Sequence, residues 1–512
     1  MRIYIILFCL FLLSATVTAQ EHTAADSTYF YEQASQNLKS LKWGIAQLVD
    51  SKIEKISTIG LDYNYQKGSF RRAQQALRTN YFGFDADGIS VLDRFKLYGY
   101  FSFNRTWLDS LAFSQKGIED QYQPYYYYAG KPSVFERQTY LGGGIISYNI
   151  IKDKLYIGTG VDYLYNSSAG SVDPRSLTTT FNLKFSPQLS YKMGKSTFGF
   201  GVEIGYGDET IDIAYKNKDL DGSLTYPDRT SYLNYGYGHS RPSQSSFIRE
   251  NSQTAVQMSY GIRFKNWDLQ SRLAYSISKE DNQYPKDNSI TNETFGIYQL
   301  ETYKVNLLLN RKTDLATQQL EITFNIENGD DQFIELASRN FTYNSTNASL
   351  TYNHHYISSK NKPSLAWFTM LGYKQVYVRD AAVDHTIDYT YTYPRLGSTL
   401  YFNNPKGNLF SAQLAIGARL PIKNEISVPV TQEKYFTQGV VYHDHLYWAS
   451  KVGEVQAQFD YITNKLIKNF KTGFALQSTY YRNLYTPSTT FNTRSVPGNS
   501  YIDLNLKINL YF

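Results

Sequence analysis

The stretch from Tyr501 to Phe512 reads YIDLNLKINLYF. Between its flanking tyrosines, Ile502, Leu504, Leu506, Ile508 and Leu510 share one parity with the terminal Phe512, while Asp503, Asn505, Lys507 and Asn509 share the other. Side chains of a strand alternate between its faces, so this segment has one apolar face and one polar face. A wall with hydrocarbon outside and water inside accepts it without penalty. A Lys or Arg set against lipid at mid-depth costs roughly 2–4 kcal/mol, which is the physical reason to confine Lys507 to the polar parity.

Working back along the chain, the same alternation recurs through Ile59–Tyr65, Phe95–Phe103, Leu155–Tyr165, Phe198–Tyr206, Val256–Phe264, Tyr303–Leu309 and Leu320–Ile326, and on to the end. The connections supply an independent test. Short ones at 149–154, 192–196, 265–266, 311–314, 358–363, 403–407 and 463–465 alternate with long ones at 104–134, 166–176, 208–252, 279–293, 328–338, 379–386, 421–445 and 482–499. Barrels that cross a membrane join their strands by short turns at one end and longer loops at the other. The sequence therefore predicts an all-β, transmembrane antiparallel up-and-down β-barrel of about 18 strands (16–18), with both termini on the short-turn, periplasmic side.

Composition fits this. The chain carries 48 tyrosines and 30 phenylalanines, residues that favour strands and membrane interfaces. After the N-terminal apolar run, no stretch approaches the roughly 18 apolar residues of a membrane helix. The net charge of +6 over 512 residues is small and scattered, which argues against nucleic acid as a partner. Arg2, the apolar run Ile3 to Leu13, and Val17-Thr18-Ala19 before Gln20 have the layout of a secretory signal peptide. The expected division is a signal peptide over 1–19, an N-terminal periplasmic or luminal helical segment over 20–52, and the barrel over 53–512. The single cysteine, Cys9, lies in the signal. The exported part then has no thiol for a disulfide or metal site.

Three stretches carry a family resemblance: KGSFRRAQQALRTNYFGFDADGISVLDRFKLYGYFSF (67–103), YLGGGIISYNIIKDKLYIGTGVDYLYNSSAGSVDPRS (140–176) and GYGDETIDI (205–213). They resemble an uncharacterised family of Gram-negative outer-membrane β-barrels, a domain of unknown function with an Asp-Pro-Arg loop. Many of its members have a proline after that triplet, where this chain has Ser176. The closing strand on Phe512 also resembles the terminal recognition strand of such barrels. The resemblance implies an outer-membrane location, lipid contact, and handling by the outer-membrane insertion machinery through that strand. It brings no catalytic residues.

With the apolar parity facing lipid, the opposite parity lines the lumen. The candidates are Asp62, Lys96, Asp162, Glu203, Arg263, Arg272, Glu321, His355, Lys374, Arg419, Asp460, Lys471, Asp503 and Lys507. These charges either pair with one another and hydrate the wall or mark a selective path. In the outer loops, Asp173 and Arg175 suggest a braced tight turn, and Tyr125 to Tyr128 suggest loop packing, an interfacial girdle or a stacking surface. His443 and His445, two residues apart, would share a face on a strand, yet two ligands do not make a metal site, and a solvated loop end is the plainer reading. His354 and His355 should face opposite ways. No cofactor or metal is expected, and no spacing singles out a catalytic group, so an enzyme is not expected.

The function expected is a channel or accessory component for uptake of small hydrophilic solutes or nutrients. The alternative is a surface barrel that docks a lipoprotein or a TonB-dependent importer, with a metal-related role among its variants, and does not itself conduct. The helical segment is too short for the folded plug of an energy-coupled receptor, but long enough to occupy part of the lumen.

Overall fold

The computed structural model describes residues 40–119, 123–221, 225–243, 246–285, 293–357, 363–403, 408–467 and 470–512. The expected signal peptide, Cys9 and the first part of the helical segment lie outside the described residues.

Eighteen antiparallel strands form one closed sheet, beginning with Ile56–Gly68 and ending with Ser500–Tyr511. These two strands pair with each other, with Leu61 opposite Ile508, Asp62 opposite Lys507 and Tyr63 opposite Leu506. The register sets apolar residues beside apolar ones on the outside and polar beside polar within. Leu61, Tyr63, Leu506 and Ile508 are accordingly exposed on the outer surface, as are Phe198, Phe200, Leu414 and Ile416 around the barrel. An apolar band of this kind is the surface of an outer-membrane barrel, satisfied by lipid rather than by protein. Near the short-turn end, neighbouring strands pair aromatic residues, Phe95 with Tyr148 at 4.8 Å and Phe402 with Phe410 at 5.8 Å, as an interfacial girdle requires. His354 joins this outer layer, stacked on Trp367 at 5.8 Å, while His355 on the other face lies near Tyr401.

The short turns fall where expected, with strands meeting across 265–266 and 194–195. Several loops expected to be long are short instead. The connection expected at 166–176 is only 171–174, and that at 379–386 is only 381–384, because the strands continue to Gly170, from Arg175, to Asp380 and from His385. Barrel strands run to as many as 20 residues, well beyond the roughly 9–11 that cross a bilayer. Above the lipid band neither face must be apolar. Pairs such as Ser168 with Thr178 keep the backbone ladder while the alternation disappears.

Candidate functional site

At the long-loop end the chain folds back into its own barrel. Tyr125–Tyr128, Tyr232–Tyr235 and Ser240–Pro242 form a small antiparallel sheet across the mouth. Alternation gives this sheet two faces. Tyr125, Tyr127 and Leu233 are fully buried against the wall residues Phe247, Phe295 and Tyr343. Tyr126 and Tyr128 pack the other way, on Phe436, Val440 and Val441. The latter lead into helix α2 (Tyr442–Ala449).

Polar anchors hold the sheet in place. The Tyr125 hydroxyl donates to Asp331 at 2.6 Å, and Asp380 accepts from the Tyr237 and His239 amides at 2.7 and 2.8 Å. Arg249, 3% exposed, bonds the Tyr125 carbonyl, pairs with Glu209, and lies 3.3 Å from Glu280. Helix α2 is tied to the loop 69–77, since Asp444 accepts from the Ala73 amide at 2.7 Å and His443 Nε2 donates to the Arg71 carbonyl at 2.9 Å.

The short-turn end is closed from the other side, by the segment before the first strand. Helix α1 (Ile45–Asp50) lies inside the barrel, with Ile45 and Leu48 fully buried. Six residues do not hold a helix in water, so the wall must supply its stability. Leu41 and Leu48 pack on Ile56, Ile89, Tyr98 and Tyr511. The wall makes room with glycines: a Cβ on Gly199 would sit 2.8 Å from the Ala46 Cβ, and one on Gly261 would sit 2.6 Å from Asp50. The remaining grip is polar. Ile45 N–H donates to Gln188 at 2.8 Å, Thr197 donates to Asp50 at 2.8 Å, Lys96 reaches the Ser51 carbonyl at 2.5 Å, and Arg263 binds the Asp50 carbonyl.

A chamber of about 400 Å³ remains beneath α2. Its aromatic lining is Phe70, Tyr391, Tyr393, Tyr447, Tyr481 and Tyr501. Arg419 sits among these rings, 4.3 Å from the Tyr447 centroid and 5.4 Å from that of Phe70, and donates to the Tyr447 carbonyl at 2.6 Å. Glu454 faces the same space and pairs with Arg395 at 3.2 Å. Asp503 accepts from Asn64 at 2.5 Å and from Gln66 at 3.1 Å, and Tyr501 donates to Gln66 at 2.8 Å.

The lumen candidates read from the sequence fall into separate groups. Lys96 and Arg263 hold the α1 segment, whereas Arg419 and Asp503 line the chamber. Asp162 accepts from Tyr100, Glu203 from Gln253 at 2.9 Å, and Asp460 from Gln458 and Ser411. Arg272 donates to Gln257 at 2.9 Å, and Lys507 pairs with Asp85 at 3.4 Å. Asp62 faces Lys507 in register, Glu321 faces Thr351, Lys374 faces Asn347, and Lys471 is buried opposite Tyr511. They do not converge on one site; most are paired along the wall. Asp173 and Arg175 brace their turn at 3.0 Å, with Asp173 also taking the Lys216 and Asn217 amides.

His443 and His445 require a correction, because they lie on a helix and not on a strand or a solvated loop end. Two residues apart on a helix, they point to different sides. His443 is buried against Arg71 and Ser495, and His445 receives the Asn424 amide at 3.1 Å. Tyr125 to Tyr128 realise the loop-packing reading.

The profile of a family of unknown function, DUF6850, matches residues 45–512. The chain belongs to that family. The match starts at the first residue of α1, so the helix in the lumen is part of the shared domain. No curated protein matches the chain in sequence. Among solved structures, it is similar to the ferric preacinetobactin receptor BauA from Acinetobacter baumannii, at 10% identity and TM-score 0.35 over 90% of this chain and 80% of that one. The outer-membrane transporter YddB from Escherichia coli gives 9%, 0.38, 90% and 81%. OccAB3 from Acinetobacter baumannii gives 11%, 0.35, 90% and 99%. Likenesses this remote carry no inference about function.

The chamber residues absent from the sequence-derived set are mostly aromatic. Tyr391, Tyr393, Tyr481 and Tyr501 stand at inward parity, yet a search for polar lumen residues passes over tyrosine. The available signal was aromatic residues on the polar face of their strands. Glu454 and Arg395 carried a different signal, charge at inward parity.

Proposed function

We propose that the protein is an outer-membrane uptake barrel, closed at rest, that takes a small hydrophilic solute through the chamber between its two closures. The observation that supports this is the chamber itself, a lined space of about 400 Å³ retained in a lumen whose two ends are otherwise filled. Its volume falls in the range of roughly 300–1,000 Å³ usual for small-molecule sites. An always-open pore is disfavoured, because the sheet across the mouth has an apolar core on both faces.

Single-channel recording tests the reading. The full chain should give no steady current. Removing residues 20–52 and weakening the outer sheet with Leu233→Asp should give one. A steady current from the unaltered protein would refute the resting closure, and silence of the doubly opened protein would refute the conduit and leave the docking alternative.

A further inference from the structure

The chamber's chemistry narrows the solute. We propose that it binds a neutral, hydroxyl-rich ring compound of disaccharide size; this rests on the uptake reading above and names its substrate class.

Charge balance is the first argument. The chamber and its adjoining ion pair hold Arg395 and Arg419 against Glu454 and Asp503, two cations against two anions. Glu454 is held by Arg395, Asp503 by two amide donors, and Arg419 by a carbonyl and four aromatic rings, while Nε of each arginine is left as a donor. A solute with a net charge would upset this two-against-two balance in a partly desolvated space, at a cost that a neutral one avoids.

The walls supply the second argument. Phe70 and Tyr447 are stacked at 4.8 Å, and Tyr481 and Tyr501 lie 6.2 Å apart, so the space is bordered by ring faces. Ring faces are electron-rich and apolar, which suits the C–H faces of a sugar ring. Among the described residues, the hydroxyls of Tyr391, Tyr447 and Tyr481 have no hydrogen-bond partner. Together with Gln75 and the second oxygen of Glu454 they offer donors and acceptors at the rim of those faces. A purely apolar solute would leave these groups unmatched, and each unmatched buried group costs free energy.

Titration calorimetry on the full chain in detergent tests this with maltose, cellobiose, lactose and sucrose, and with glycylphenylalanine and citrate as charged probes. At least one disaccharide should bind saturably. Tyr481→Ala and Glu454→Gln should each weaken that binding by about tenfold, and Tyr481→Phe, which keeps the ring, by less. Heat-modifiable gel migration checks that each variant is folded. Tighter binding of a charged probe than of every disaccharide, binding that neither substitution alters, or no binding from the panel would each overturn the assignment. If the recording shows the closed barrel that opens as described while no disaccharide binds, the substrate class alone falls. A steady current from the unaltered chain removes the reading beneath it.

Discussion

At the long-loop end the lumen is filled by structure built like a protein core, whereas at the short-turn end it is filled by structure built like a docked peptide. The outer closure has a backbone-paired sheet, apolar side chains packed on both of its faces, and a buried arginine joining it to two wall carboxylates. The inner closure has one helix of six residues, a few aliphatic contacts, and side-chain hydrogen bonds to a wall hollowed by glycine. The first can be lost only by disrupting packing that the barrel shares. The second can leave with the barrel intact. On the uptake reading proposed above, opening would therefore begin more cheaply at the short-turn end.

The largest effect should come from Arg249. Its replacement by alanine removes the cation that Glu209 and Glu280 share and the donor to the Tyr125 carbonyl. Breaking a buried pair in this way costs about 3–5 kcal/mol. The denaturation midpoint should fall and the segment 113–129 should become sensitive to protease. The triple variant Arg249→Met, Glu209→Gln, Glu280→Gln should recover much of the loss, since it removes the stranded charges. An Arg249→Ala protein as stable as the parent would erase the distinction between the two ends.

Acid should act on the outer closure next. Burial holds the His445 imidazole down to about 4, and burial together with Arg241 and Lys434 lowers that of His239. A histidine with a depressed folded pKa binds its proton more readily when unfolded. Its contribution is thus intact above about 6.5 and declines as pH falls toward the folded value. For His445 the window runs from about 6.5 to about 4, with a slope of up to about 1.4 kcal/mol per pH unit. Hydrogen exchange should show the amides of 442–449 losing more protection over this range in the parent than in His445→Gln. That comparison isolates the histidine from Asp380, held up to about 6 by burial, and Asp444, raised by burial, both of which act in the opposite direction. The segment 40–53, which contains no histidine, should keep its own. Equal loss at both ends would mean that the two closures are one cooperative unit.

The wall was legible because lipid enforces a strict rule: Lys507 and Leu506 cannot exchange faces, so parity can be read residue by residue. Beyond the lipid that rule lapses, which is why the strand ends at Ser167, Ser168 and Thr178 looked like loop. The mouth was harder still. Tyr125 to Tyr128 pair with Tyr232 to Tyr235 across more than a hundred residues, and no local pattern encodes that pairing. Helix α2 was missed for a similar reason: a short helix whose ends rest on the loop 69–77 owes its shape to contacts distant in sequence. For the α1 segment the sequence leaves periplasm and lumen open as alternatives, because Gly199 and Gly261 reveal their purpose only when the helix is beside them.

At the inner closure, Gly199→Leu should place a side chain against the wall's Ser259 hydroxyl, which can rotate away, and against Ala46, expelling α1 by an overpacking effect of about 1–3 kcal/mol. Trypsin should then cut at Lys42 and Lys52 much faster than in the parent, while the barrel's thermal transition stays in place. Asp50→Asn is the gentler test. Asp50 accepts from Thr197 at 2.8 Å and lies 3.8 Å from Lys192, so the amide keeps a weaker version of the first contact and loses the second. A long ion pair from a buried carboxylate to a partly exposed lysine and a charge-assisted bond together put the loss at about 1–2 kcal/mol. It should appear as faster cleavage at Lys42 and Lys52, and the gap between variant and parent should narrow as salt screens the lysine. The global midpoint should not move. If Asp50→Asn lowered it as Arg249→Ala is expected to, the inner helix would be a structural member of the barrel, and the idea that it can depart on its own would fail.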